Sequence, residues 1–167
     1  MNIHGMLWIA ENMENFFSVW QTALIALSHA VMFQSGGKAA MCKGLGIDIC
    51  EIARMKKLLE DDRFLQRYFT KAEAAYVRSR GAGAAASLAG LFAAREALGK
   101  ALGGGIDFDL REAEICHTET GAPYFTFSGN LKDRLINDRV FLSISHDGGI
   151  ASAICFVESD PVHPEGV

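Results

Sequence analysis

The sequence predicts one α+β domain: a strand first, then helices, then antiparallel strands. Three observations carry that prediction. Residues 44–50 alternate, with Leu45, Ile47 and Ile49 on one face, the period of a half-buried strand. Residues 51–102 change to helical spacing, and their longest run stops in Gly103-Gly104-Gly105, where a helix cannot continue cheaply. Beyond Gly105, β-rich segments flank turns at 118–122 and 146–149, the pattern of two hairpins.

The first strand places Asp48 opposite the apolar face, between Gly46 and Cys50. Asp is a poor strand residue and, taken alone, more often caps a following helix. From Glu51 a helical stripe of Ile52, Met55, Leu58 and Leu59 leaves Arg54, Lys56 and Lys57 outside. Asp61-Asp62 interrupts it, and residues 63–69 form a second short helix. Thr70-Lys71-Ala72-Glu73 is a capping box that opens a third helix, ending near Arg80. After a joint at Gly81-Ala82-Gly83, the central helix runs from about Ser87 to Leu102. Leu91, Phe92, Leu98 and Leu102 supply its buried stripe, and Glu96 and Lys100, four apart, share a face. Strands are expected at 113–117, 123–127, 139–145 and 150–157, with a short helix capped by Ser128 before the second hairpin. Pro161 and Pro164 mark a loose tail over 159–167.

A carboxylate and an ammonium on one helical face commonly form a solvated pair worth about 0.3–0.5 kcal/mol. A second carboxylate elsewhere changes the meaning. Asp48 with Glu96 makes half of a Mg²⁺ site whose other ligands are waters and phosphate oxygens. Lys100, one turn beyond Glu96, is then placed to touch the same phosphates.

Three motifs occur together: Gly-Leu-Gly-Ile-Asp-Ile-Cys-Glu-Ile-Ala-Arg at 44–54, Phe-Ala-Ala-Arg-Glu-Ala-Leu-Gly-Lys-Ala-Leu-Gly at 92–103, and Leu-Ser-Ile-Ser-His-Asp at 142–147. In order and spacing they resemble holo-acyl-carrier-protein synthases, the small stand-alone 4'-phosphopantetheinyl transferases. The resemblance covers about 41–158 and implies a single domain of that fold. It also implies transfer of 4'-phosphopantetheine from coenzyme A to a serine of an acidic apo acyl carrier protein. Adenosine 3',5'-bisphosphate is the other product. By the same resemblance, Asp48 and Glu96 hold Mg²⁺ and act in catalysis with Lys100. Lys100, Gly99, Gly103, His146 and Arg95 meet coenzyme A. Arg54, Arg63, Phe64 and Arg67 meet the carrier, as a basic patch that speeds encounter with an acidic partner. A homotrimer with sites between subunits, in the cytoplasm and serving fatty acid synthesis, is implied as well. Leu91, Arg95 and Gly99 depart from the Arg, Lys and Ser usual in the family, and 81–86 lacks the basic residues many members place there for the 3'-phosphate. Arg78 or Arg80 stands near enough in sequence to substitute.

Other classes stay open on the residues alone. Two carboxylates and a lysine also suit a Mg²⁺-dependent nucleotide pyrophosphatase, and the departures suit a carrier-binding module without turnover. The chain has 167 residues and net charge −4, which argues against bulk attraction to nucleic acid. Four scattered cysteines contain no C-x-x-C pair, so reduced thiols are the default. Residues 16–37 carry no Asp, Glu, Lys or Arg, long enough to raise a membrane anchor. Gln21, Ser28, His29 and Gln34 interrupt that stretch, and no basic residue precedes Lys38. Residues 1–40 are therefore read as an N-terminal extension outside the fold.

Overall fold

The structure is a computed structural model and describes residues 41–159. The expected extension at 1–40 and the tail beyond Ser159 lie outside the described residues. Strand β1 (Met41–Glu51) leads into helices α1 (Ile52–Leu58), α2 (Asp62–Tyr68) and α3 (Lys71–Ser79). The central helix α4 (Ala84–Ala101) follows. Then come β2 (Ala113–His117), β3 (Pro123–Phe127), α5 (Gly129–Arg134), β4 (Asp138–Asp147) and β5 (Ile150–Ser159). The strands form an antiparallel sheet in the order β1-β5-β4 and a separate β2-β3 hairpin. Both expected hairpins are present. Pairing of β1 with β5, across the whole domain, has no local signal in the sequence.

Helix α4 packs on one face of the three-stranded sheet. Ala151, Ala153, Cys155 and Val157 of β5 are buried there, against the alanines of the helix. Space is so short that glycine is required. A Cβ on Gly46 would stand 2.0 Å from the Ala97 carbonyl oxygen, and one on Gly44 1.8 Å from that of Ala101. This sets the orientation of β1. Its small, polar face carries Gly44, Gly46, Asp48 and Cys50 and lies toward the helix. Leu45, Ile47 and Ile49 point away, 61%, 59% and 67% exposed. Phe141 and Ile154 are exposed with them. Periodicity identifies a strand, but residue size decides which face a close-packed helix can accept.

The capping box is formed as expected: Thr70 accepts from the Glu73 amide, and Glu73 accepts from the Thr70 amide. Ser128 occupies the N-cap of α5 but makes no side-chain cap bond. Glu112 instead accepts from the amides of Asn130 and Leu131.

Candidate active site

Asp48 stands near the end of β1, on the face pressed against α4. It does not cap the following helix, whose N-cap is Glu51. The first amide of that helix, on Ile52, bonds the Gly149 carbonyl in the β4–β5 turn. Glu96 and Lys100 come from the facing side of α4. Lys100 Nζ donates to Asp48 Oδ1 at 2.8 Å and to the Ile47 carbonyl at 3.0 Å. The Asp48 side chain is 16% exposed and that of Lys100 52%. The sequence places Lys100 on phosphates alone, so its bond to Asp48 is an addition. Glu96 is half-buried in the same neighbourhood. The Cys50 thiol marks the proximity: burial pushes its pKa up, Arg54 opposes, and the charges of Asp48, Glu51 and Glu96 push it further.

This donor set fits a hard divalent cation. Two carboxylates on facing elements could offer oxygen ligands, and an ion that keeps most of its waters needs few protein groups. Among the described residues, no group of three or more His, Cys, Asp or Glu is arranged to hold a metal. The remaining ligands here would be waters and phosphate oxygens.

His146 is exposed near the end of β4. It lines a cleft of about 160 Å³ together with Arg80, Ser87, Gly90, Tyr76 and His117. Two of these clarify the chain's departures at 81–86. Arg80 faces the cleft and lies over the Tyr76 ring, whereas Arg78 pairs with Asp62 on another part of the surface. His117, given no role from sequence, stacks on Tyr76 at 4.3 Å between ring centroids. Burial lowers its pKa, Arg80 lowers it further, and Glu73 opposes. A wider cleft, about 780 Å³, lies between α2, α3 and residues 109–112, and of the candidate site residues considered from sequence only Arg78 lines it.

Two expected coenzyme contacts are corrected. Arg95 is 1% exposed. Its guanidinium donates to both Glu73 carboxylate oxygens at 2.6 Å, to the Leu110 carbonyl at 2.7 Å and to the Leu91 carbonyl at 3.2 Å. It also lies 4.9 Å from the centre of the Phe69 ring. Burial pushes its pKa below the ordinary value, while Glu73 holds it up. No phosphate has access to such a group, so Arg95 is a structural cation. Gly99 is likewise covered: a Cβ there would meet the Gly105 backbone at 2.6 Å. Its carbonyl accepts from the Gly105 amide, so it seats the loop after the helix. Gly103 stays exposed with φ +82°, in the left-handed region that ends a helix.

Arg54, Arg63 and Arg67 are all exposed along α1 and α2. Arg54 lies over the Phe92 ring and Arg67 over the Tyr68 ring, each at 5.4 Å. Phe64 is half-buried among Tyr68 and Phe69, so only part of it faces outward.

Residues 44–155 match the 4'-phosphopantetheinyl transferase superfamily. The chain belongs to that superfamily. A relative from Treponema denticola named holo-[acyl-carrier-protein] synthase is 40% identical over 122 residues, spanning 71% of this chain and 99% of its own. Two solved structures of the superfamily extend the likeness. The holo-(acyl-carrier-protein) synthase of Bacillus anthracis, in complex with CoA (3',5'-ADP), is 34% identical with a TM-score of 0.62. It covers 73% of this chain and 100% of its own. The Helicobacter pylori synthase, in complex with coenzyme A, is 33% identical with a TM-score of 0.60, covering 68% and 98%. Membership makes the chain an enzyme of the 4'-phosphopantetheinyl transferase type.

Proposed function

We propose that this enzyme moves the 4'-phosphopantetheine arm of coenzyme A onto a serine of an apo acyl carrier protein, releasing adenosine 3',5'-bisphosphate. The observation that carries this is the bond of Lys100 to Asp48 where two glycines let β1 touch α4, with Glu96 one helical turn before the lysine. In the reaction, the serine oxygen forms a bond to the phosphorus of the pantetheine phosphate. The bond from that phosphorus to the bridging oxygen breaks, its electron pair leaves on the phosphate of adenosine 3',5'-bisphosphate, and the serine proton passes to a water or to one of the two carboxylates. Asp48 and Glu96 would hold Mg²⁺, which when bound offsets the charge of the pyrophosphate. Lys100 offers its ammonium to the leaving phosphate as charge develops there, the kind of donor whose loss costs about 10²–10³ in rate. The cleft of Arg80, His117 and His146 suits the charged nucleotide end of coenzyme A. The exposed cations of α1 and α2, Arg63 and Arg67 among them, receive the acidic carrier. Fatty acid synthesis is the setting this activity serves.

A homotrimer with sites between subunits is part of the proposal. Its support is the apolar outer face of Leu45, Ile47, Ile49, Phe141 and Ile154, larger than scattered surface residues explain. Light scattering of the full chain tests it. We place the enzyme in the cytoplasm. All four cysteines are free thiols, and among the described residues no helix is long and apolar enough to cross a membrane. With residues 1–40 outside the working fold, a protein beginning at Met41 is expected to turn over as fast as the full chain.

The test is direct. Purified enzyme, Mg²⁺, coenzyme A and an apo carrier are incubated and the carrier is weighed. The expected result is a carrier heavier by one phosphopantetheine arm. Coenzyme A hydrolysed with no change in the carrier would indicate a pyrophosphatase. A carrier bound but unchanged would indicate a binding module.

A further inference from the structure

We propose that Lys100 competes with the divalent cation for Asp48, and that coenzyme A relieves the competition by drawing the lysine onto its phosphates. The inference rests on the assignment of Asp48 and Glu96 as the ion's ligands and goes beyond it. An ammonium has three donors. Two of those on Lys100 are engaged, one by Asp48 Oδ1 and one by the Ile47 carbonyl. The strand carbonyl therefore anchors the lysine beside the carboxylate. Glu96 stands one helical turn away on the same face. With Lys100 on Asp48, the three side chains present a net charge of −1, where the two carboxylates alone would present −2. A divalent ion then meets a carboxylate already neutralised and an ammonium that repels it.

The pair is also built to part. Lys100 is about half exposed and its bond to Asp48 is open to solvent. Such a pair is worth at most about 1 kcal/mol. A polyphosphate offers the ammonium several charged oxygens in place of one. Once Lys100 moves to them, Asp48 regains its full charge for the ion. Cation and coenzyme A thus bind with positive coupling, and by linkage each raises the other's affinity by the same factor. Lys100 would have a second role as the part that makes loading of the site concerted.

The test measures binding, with no carrier present. Mn²⁺ stands in for Mg²⁺, because both favour oxygen ligands. Electron paramagnetic resonance counts free Mn²⁺ against wild type, Lys100→Met, Lys100→Arg and Asp48→Asn, each with and without saturating coenzyme A. Mn²⁺ with coenzyme A alone is the blank. Without coenzyme A, Lys100→Met is expected to bind Mn²⁺ about tenfold more tightly than wild type, from the lost ion pair and the lost repulsion together. Lys100→Arg keeps the charge and should stay near wild type. Coenzyme A should tighten Mn²⁺ binding in both proteins through its phosphate oxygens, and by a larger factor in wild type than in Lys100→Met. Equal or weaker Mn²⁺ binding by Lys100→Met, with Asp48→Asn defective, would overturn the competition and leave the ligand assignment standing. Tightening by both lysine variants would also overturn it, since charge would not be the cause. Asp48→Asn binding as wild type does would remove the ligand assignment and this inference together.

Discussion

Arg95 and Lys100 stand five residues apart on one helix, and each meets a carboxylate from another element. They differ in what surrounds them. The side chains of Arg95 and Glu73 are both 1% exposed; two carbonyls complete the partners of Arg95, and the amides of Thr70 and Ile115 complete those of Glu73. Lys100 and Asp48 are bonded through one oxygen at the surface, with the lysine half exposed. A closed network of buried charges holds one arrangement, because any lost partner leaves a charge out of water with nothing to meet it. An open pair can exchange partners at little cost, which is what a phosphate-handling site needs. The same helix thus carries a closed ion pair on its buried side and an open one at its edge.

The sharpest way to break that contrast is to give both cations the same replacement. Arg95→Met leaves Glu73 buried and unpaired and should cost about 3–5 kcal/mol of stability. Lys100→Met should change stability by less than about 1 kcal/mol. Urea denaturation of the two variants reads both values, and equal losses would erase the distinction. Next in size is Gly46→Ala. The methyl group has no space against the Ala97 carbonyl, so β1 must move off α4, at about 1–3 kcal/mol. Because that displacement separates Asp48 from Glu96 and Lys100, turnover should fall further than stability predicts. Thermal melting and carrier turnover on the same sample compare the two losses. Smallest is the docking surface. Arg63→Glu with Arg67→Glu should raise KM for the carrier and leave coenzyme A binding nearly unchanged. Added salt should shrink that difference, since exposed charges are screened beyond about 8–10 Å. Steady-state rates across a salt series measure it.

Much of this was legible in the sequence. The three motifs pointed to the family that residues 44–155 match, and turn residues located both hairpins. What escaped notice depended on packing between distant segments. Leu45, Ile47 and Ile49 look like a core face, yet only glycine and small side chains fit under α4, so the larger residues turn outward. The resemblance implies a coenzyme contact at Arg95, which keeps the charge of the Lys usual in the family. Only the fold shows Glu73 lying against it, and the capping box accounted for Glu73 locally without revealing its second partner. Gly99 looked like a lost hydroxyl and proves to be the seat for Gly105. His117 carried no signal, since its neighbours Arg80 and His146 reach it from other elements.

The central claim is that Asp48 serves the chemistry and not the fold. The most direct measurement is carrier turnover by Asp48→Asn across a Mg²⁺ series, with the melting temperature taken on the same protein. The expected result is almost no holo carrier at any Mg²⁺ concentration, with melting close to that of wild type. Full turnover by a folded Asp48→Asn protein at ordinary Mg²⁺ would contradict the claim and take the metal assignment with it.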